Sequence, residues 1–308
     1  MEKIAKILLW RYTGPVNTDD IFRADFIHMW HSKSDEERLS LDPRDHTPHP
    51  ESEIFFIFCG NVEFIIEGYR YALLPEAMLL IPPETIHGWR LLSPGLFHRF
   101  SVHFLPEYLD EGERSLFLGL FSGGPRYFPS TSSKNINFFI QTLINSMHLE
   151  EALRPVAVKS RLLSLLTELR VMLLDTAGKP VPVDGRILRV LSFLQEHLRE
   201  KLSLEGLARR FNIDKNYLNI LFRRATGTTV NRYIRFKRLA LVRQEILRGA
   251  NPEDAAYRAG FNDYSNFYRA YKALYGSMPS APGKGIIHPP GKIDGDKRTT
   301  PSRAGIMF

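Results

Sequence analysis

Two short stretches in the C-terminal third place amides and cations at helical spacing. In the first, Asn216, Asn219, Ile220 and Arg223 recur every one to three residues on one face, with Lys215 in the first turn. Leu218, Leu221 and Phe222 fall on the opposite face. In the second, Tyr264, Ser265, Tyr268, Arg269 and Lys272 share a face opposite Phe267, Ala270 and Tyr271. Side chains of these types suit the edges of base pairs and phosphate oxygens. An asparagine amide matches adenine N6 and N7, a guanidinium of the reach of Arg269 matches guanine O6 and N7, and lysine neutralises phosphate.

The flanking residues supply the elements that hold these faces. Ser203 can cap a helix whose buried face is Leu204, Leu207, Ala208 and Phe211. Asn212 sits where the chain must turn, a position that asks for the left-handed conformation. Asp214 caps the next helix and Gly227 closes it. The pattern repeats downstream: Asn251-Pro252-Glu253-Asp254 starts a helix, Gly260 stands where Asn212 stood, and Gly276 closes the last helix. Ala208 to Asn212 and Ala256 to Gly260 are both four residues. A basic helix over Val230–Leu247, bearing Arg232, Arg235, Lys237, Arg238 and Arg243, joins the copies. Two helix-turn-helix units (about 203–226 and 252–275) on such a spacer predict two reading helices ~34 Å apart, entering successive major grooves of double-stranded DNA. Arg223, Arg232, Arg235 and Lys237 are the expected phosphate contacts.

Charge agrees with this placement. Residues 184–279 hold 18 Lys and Arg against 9 Asp and Glu, whereas the whole 308-residue chain is only +7. Residues 280–308 hold 5 against 2, so residues 1–183 carry a net −5 and the basic surplus lies in the C-terminal part, which includes the stretch expected to meet a polyanion. The single cysteine, Cys59, rules out an intrachain disulfide and favours a reducing, cytoplasmic setting. No apolar run approaches the ~18 residues of a membrane span, and the Ile7-Leu8-Leu9-Trp10 run is too short for a signal peptide.

The first half reads differently. Ala24–His31, Ile54–Phe58, Val62–Ile66, Tyr69–Leu73, Met78–Ile81, Trp89–Leu92 and Phe97–Phe104 are short apolar or alternating runs. Turn signals at Gly60-Asn61 and Glu67-Gly68 punctuate them, and Ser32–Pro50 reads as a loop. Together they predict a small antiparallel barrel or sandwich. Helical spacing follows at Ile136, Ile140, Leu143 and Met147, then at Val158, Leu162, Leu165, Leu169 and Met172. The latter seam leaves two alternatives, a dimer contact or packing onto the β domain. Gly178-Lys179-Pro180-Val181-Pro182 reads as a linker. The expected organisation is an α+β chain: a β domain over 1–130, a helical pair over 131–177, a linker over 178–183, an all-α double helix-turn-helix domain over 184–280 and a disordered tail over 281–308.

Residues 184–279 resemble the DNA-binding domain of the AraC-type bacterial transcription regulators. The resemblance rests on LARRFNI, YLNILFRRATGTTVNRYIRFKRL and AAYRAGFNDYSNFYRAYKALYG, followed by Met278-Pro279-Ser280. It implies that Lys215, Asn216, Asn219 and Ile220 form one reading helix, and Tyr264, Ser265, Tyr268 and Arg269 the other. Ile220 replaces a frequent arginine, which implies apolar contact with a thymine methyl. Ala281-Pro282-Gly283 departs from the usual polar ending. The first half resembles the cupin-type sensor domain of many such regulators through His49, Glu53 and Gly60, and through Pro82-Pro83 leading to His87.

The resemblance implies a ligand-responsive transcription factor: a homodimer, with DNA, a small-molecule effector such as a sugar or organic acid, and RNA polymerase as partners, and no enzymatic activity or cofactor. His49, Glu53 and His87 are the expected pocket residues. Thr47 stands where metal-binding cupins place a second histidine, with His46 one residue off, so no metal is expected. His98 and His103 read as barrel filler or surface. The rival is a cupin metalloenzyme with a DNA-binding adaptor. A DNA-repair methyl acceptor fails on cysteine, because Cys59 lies in an apolar strand without a zinc-ligand set.

Overall fold

The computed structural model describes residues 18–36, 48–129, 135–172 and 181–279. His46, the first residues of the expected linker and the expected tail lie outside them.

Ten strands are present among the described residues: β1 (Thr18–Ala24), β2 (Ile27–Glu36), β3 (Ser52–Cys59), β4 (Val62–Ile66), β5 (Tyr69–Leu73), β6 (Met78–Ile81), β7 (His87–Leu91), β8 (Gly95–Phe104), β9 (Arg126–Phe128) and β10 (Val181–Pro182). They form a six-stranded sheet of order β1-β2-β8-β3-β6-β9 and a four-stranded sheet of order β10-β5-β4-β7. The sheets do not close into a barrel. Gly60-Asn61, expected as a hairpin turn, instead carries the chain from one sheet to the other, with Gly60 at φ 114°. Glu67-Gly68 is a true hairpin turn between β4 and β5, both residues at positive φ.

The expected strand at Ala24–His31 is a hairpin. Ala24 pairs with Ile27, and β2 runs on to Glu36 beside β8. The polar start of the expected loop is thus strand, because ten-residue β8 offers a full-length partner and pairing overrides the weak local preference.

A short helix α1 (Glu111–Phe117), missed in the sequence, opens with a capping box between Asp110 and Glu113. Helices α2 (Ile136–Ser146) and α3 (Arg154–Met172) cover one face of the larger sheet. Val158, Leu162, Leu165, Leu169 and Met172 are buried in one cluster with Met29, Phe56 and Phe100. In this structure the seam packs onto the β domain. A second cluster (Phe55, Phe64, Leu79, Phe97) draws on both sheets.

The C-terminal part comprises α4 (Gly185–His197), α5 (Leu204–Phe211), α6 (Lys215–Thr226), α7 (Val230–Leu247), α8 (Pro252–Arg258) and α9 (Tyr264–Tyr275). The caps are those expected. Ser203 Oγ accepts from Gly206 N at 3.0 Å, and Asp214 Oδ1 from Asn216 and Tyr217 N at 2.9 Å. Asn212 is left-handed at φ 50°, and Gly227, Gly260 and Gly276 also have positive φ.

Gly260 is the most constrained of these turns. A Cβ there would stand 2.9 Å from the Arg238 guanidinium carbon and 3.1 Å from the Arg199 carbonyl oxygen, at φ +93°. Arg238 is not a free cation: it donates to the carbonyls of Leu198 and Glu200 at 2.8 and 2.6 Å. Gly260→Ala is expected to destabilise the fold by about 1–3 kcal/mol, read as a lowered urea midpoint with unchanged slope.

Candidate nucleic-acid interface and buried imidazole–carboxylate cluster

Leu218, Phe222 and Tyr233 bury the inner faces of the first unit, and Phe267, Tyr271 and Leu239 those of the second. The outer faces are left open. Lys215, Asn216 and Arg223 are exposed, and Ile220 is 63% exposed, a large value for an isoleucine with no structural role in its own domain. Ser265, Arg269 and Lys272 are exposed, with Tyr264 and Tyr268 half-buried beside them. Arg235 is exposed, whereas Arg232 is half-buried with its guanidinium 5.1 Å from the Phe236 ring centroid.

Several side chains have partners at home. Lys215 pairs with Glu205 at 2.5 Å. Arg269 Nη2 donates to Asn266 Oδ1 at 2.6 Å, which orients the guanidinium along the helix. Asn219 is half-buried, and its Oδ1 accepts from Val230 N at 3.4 Å, so its amide oxygen helps tie α6 to α7. Lys237 departs furthest from expectation. It pairs with Glu67 and donates to the Glu84 carbonyl oxygen at 3.1 Å, so in this arrangement it faces the sheets and not a phosphate. Spacing along α7 showed Lys237 to be a cation on a basic helix, but not which body covers that side.

A groove of about 820 Å³ runs between α7 and α9, lined by Arg232, Arg235, Asn262, Asn266 and Arg269 among others. Asn262 and Asn266 were not singled out in the sequence. Polar residues flanking the expected readers were the only signal for them.

The second assembly lies in the sensor domain, where Glu53 on β3 is the hub. Its carboxylate meets His87 Nε2 at 3.0 Å, His49 Nε2 at 3.3 Å and His103 Nε2 at 3.5 Å. Glu51 meets His49 Nδ1 at 3.3 Å. His28 stacks on His103 with centroids 4.5 Å apart, and neither of its ring nitrogens has a hydrogen-bond partner among the described residues. The expected trio His49, Glu53 and His87 is therefore brought together. His103, read from sequence as filler or surface, belongs to the cluster. His103 and Glu53 are register partners on β8 and β3, a neighbourhood that only strand pairing creates. His98 lies elsewhere, its Nε2 2.7 Å from His31 Nε2.

The electrostatics follow from burial and pairing. Burial would lower His49, but pairing with Glu51 and Glu53 outweighs it and raises the imidazole to about 10. Burial would raise Glu53, yet the surrounding His103, His87 and His49 hold it well below the carboxylate range. Burial opposes ionisation of Glu51 too, but His49 brings it down to about 2. His28 is pushed down to about 4 by burial, and His98 to about 3 by burial and His31. His49 and the two glutamates are thus charged at neutral pH, while His28 and His98 are neutral.

His28, His98 and Glu51 bind protons less readily folded than unfolded. Stability is therefore lost as pH falls, from 6.5 toward 4 and 3 for the histidines and from 4.5 toward 2 for Glu51. His49 acts oppositely: its contribution is full below 6.5 and disappears as pH rises through about 10. The thermal midpoint is expected to fall between pH 7 and pH 5, and His28→Phe to flatten that fall. An unchanged slope in His28→Phe counts against His28 as a source.

The donor atoms of His49, Glu53 and His103 lie within 4.8 Å of one another. Imidazole and carboxylate donors of this kind suit zinc, iron or manganese as well as hydrogen bonding to a polar organic ligand. Among the described residues no helix is long and apolar enough to cross a membrane.

Two capped helix pairs in the same register, each with an open polar face, define a double helix-turn-helix DNA-binding domain. Residues 207–282 match the family described as a helix-turn-helix domain. The chain is 30% identical over 90 residues to a probable transcriptional regulator, LumQ, of Photobacterium leiognathi, covering 29% of this chain and 36% of that protein. It is 24% identical over 224 residues to the uncharacterized HTH-type transcriptional regulator YbfI of Bacillus subtilis, covering 71% and 79%. It is 29% identical over 90 residues to the regulatory protein SoxS of Escherichia coli K12, covering 29% and 84%. The match thus spans about a third of the first of these relatives and most of the other two. Residues 207–282 are thus a helix-turn-helix domain similar to that of the AraC-type transcription regulators.

Proposed function

We propose that the protein is a sequence-specific transcription regulator that reads double-stranded DNA with α6 and α9 and senses a ligand in its N-terminal domain. The single observation carrying this reading is the repeated capped helix pair with exposed Asn216, Ile220, Arg223, Ser265, Arg269 and Lys272. Asn216 and Arg269 read base edges, Ile220 meets a thymine methyl, and Arg223, Arg235 and Lys272 neutralise phosphates. Tyr264 and Tyr268 border the second reader. Selection of duplexes from a random-sequence library by the full chain tests it. Enrichment of a site with two half-sites about one helical turn apart is expected, with affinity falling steeply as salt rises. Recovery of no preferred sequence would sink the proposal.

The ligand engages the cluster of His49, Glu53 and His87, where a paired, buried charge set meets a polar organic molecule such as a sugar or organic acid. A second reading is favoured by the convergence of His49, Glu53 and His103: the ligand is a divalent transition-metal ion. Elemental analysis of protein purified without chelators separates the two. Stoichiometric zinc, iron or manganese selects the ion, and only with an open coordination position would it revive a metalloenzyme. Thermal stabilisation by organic acids or sugars in metal-free protein selects the organic ligand.

A further inference from the structure

The turn between β6 and β7 touches both halves of the molecule. The Glu84 amide donates to the His49 carbonyl oxygen at 2.8 Å, and His87, at the end of the same segment, pairs with Glu53 at 3.0 Å. The turn is therefore tied to the imidazole–carboxylate cluster at two points, the Glu84 amide and the His87 ring. The Glu84 side chain and Ile86 tie it to the DNA-binding domain. Glu84 is 7% exposed, and its carboxylate accepts the Tyr275 hydroxyl of α9 at 2.9 Å and lies 3.6 Å from the Arg243 guanidinium of α7. Ile86, fully buried, belongs to the core of the first helix-turn-helix unit with Leu218, Phe222 and Tyr233. Five residues thus reach the cluster, the first unit and the second.

The neighbouring turn reinforces it. The Glu67 amide donates to the Ile86 carbonyl oxygen at 3.2 Å, and Glu67 pairs with Lys237 of α7. Gly68 lies so close to α4 that a Cβ there would stand 2.8 Å from Leu191 Cδ1. The Gly68 carbonyl accepts from Val183 N at 2.8 Å, and β10 adds to β5. Val181–Pro182, within the segment expected as a linker, is a strand of the smaller sheet.

Glu84 sits at φ 57°, a conformation that a glutamate holds only where its surroundings impose it. Its hydrogen bonds on three sides supply that imposition. A turn held by contacts at both ends passes displacement on, because a packed interface rearranges between discrete states and does not yield gradually.

We propose that the turn Pro83–His87 is a relay that couples the occupancy of the imidazole–carboxylate cluster to the relative placement of the two DNA-reading units, through Ile86 on the first and Glu84–Tyr275 on the second. This rests on the reading of the C-terminal domain as the DNA reader and of the cluster as the ligand site. A ligand that engages His49 or His87 shifts both anchor points of the turn, and so biases the spacing of α6 and α9. The bias equals the difference in ligand affinity between the two arrangements.

The test is a double-mutant cycle on the full chain. His87→Gln perturbs the cluster end, and Glu84→Gln with Tyr275→Phe removes the charge and the hydroxyl at the far end while keeping both shapes. Affinity is measured for a duplex that the wild-type protein enriches from a random library, and deuterium uptake is measured over residues 267–276 without DNA. His87→Gln is expected to change the dissociation constant by about 5-fold or more in the wild-type background and by less than about 2-fold in the Glu84→Gln/Tyr275→Phe background. Uptake in the last turn of α9 is expected to rise with His87→Gln in the wild-type background only. Equal responses in the two backgrounds, or no response of the uptake to His87→Gln, overturn the relay. Should the wild type enrich no duplex, the DNA-reading assignment fails by itself, and the uptake arm still decides the relay.

Discussion

Glu53→Ala is expected to lower stability by about 3–5 kcal/mol, the loss that follows removal of one partner from a buried charge set. The carboxylate is 5% exposed and faces His87, His103 and His49 at once. Its removal leaves the positively charged, half-buried His49 with only Glu51. Glu53→Gln keeps the shape and an acceptor oxygen, so it is expected to lose less. Equilibrium urea unfolding of both variants decides the matter: equal and small losses would show that the imidazoles relax and that the cluster does not depend on its hub. The same pair of variants separates stability from sensing, since only a ligand that touches the carboxylate distinguishes Glu53→Gln from wild type once both are folded.

Arg269→Ala is expected to weaken binding to the selected duplex by about 1–3 kcal/mol and to relax the choice at one base pair. The guanidinium is exposed and held along α9 by Asn266 at 2.6 Å, an orientation that prepares it for two parallel hydrogen bonds to guanine. Lys272→Ala, on the same face, is expected instead to weaken all duplexes alike and to lower the salt dependence by about one charge. Fluorescence anisotropy on the selected site, on its single-base variants and on an unrelated duplex makes the comparison. Identical behaviour of the two substitutions would remove Arg269 from base reading.

Local signals carried the C-terminal half. Caps at Ser203, Asp214 and Asn251, positive φ at Asn212 and Gly260, and the spacing of Leu218, Phe222, Phe267 and Tyr271 are properties of a few adjacent residues, so the helices and their open faces were legible before any fold was known. Strands β3 to β8 were legible for the same reason, whereas β1, the second half of β2, β9 and β10 were not. Nor was the pairing of the strands. Gly60-Asn61 has the residues of a hairpin turn, yet it moves the chain between sheets, because β8 and β6, both far along the chain, are the partners of β3.

What the amino-acid sequence determined by itself is the identity of each surface: which helix faces are apolar, which carry amides and cations, and where the chain must turn. The tertiary structure decided which surface meets which. It set His103 beside Glu53, turned the seam of α3 onto the larger sheet, and spent Lys237 and Tyr275 on Glu67 and Glu84. Capping and periodicity are energies between residues a few positions apart, whereas Glu84 and Tyr275 are 191 positions apart. Contacts of that range exist only after the chain has closed on itself, and no local pattern encodes them.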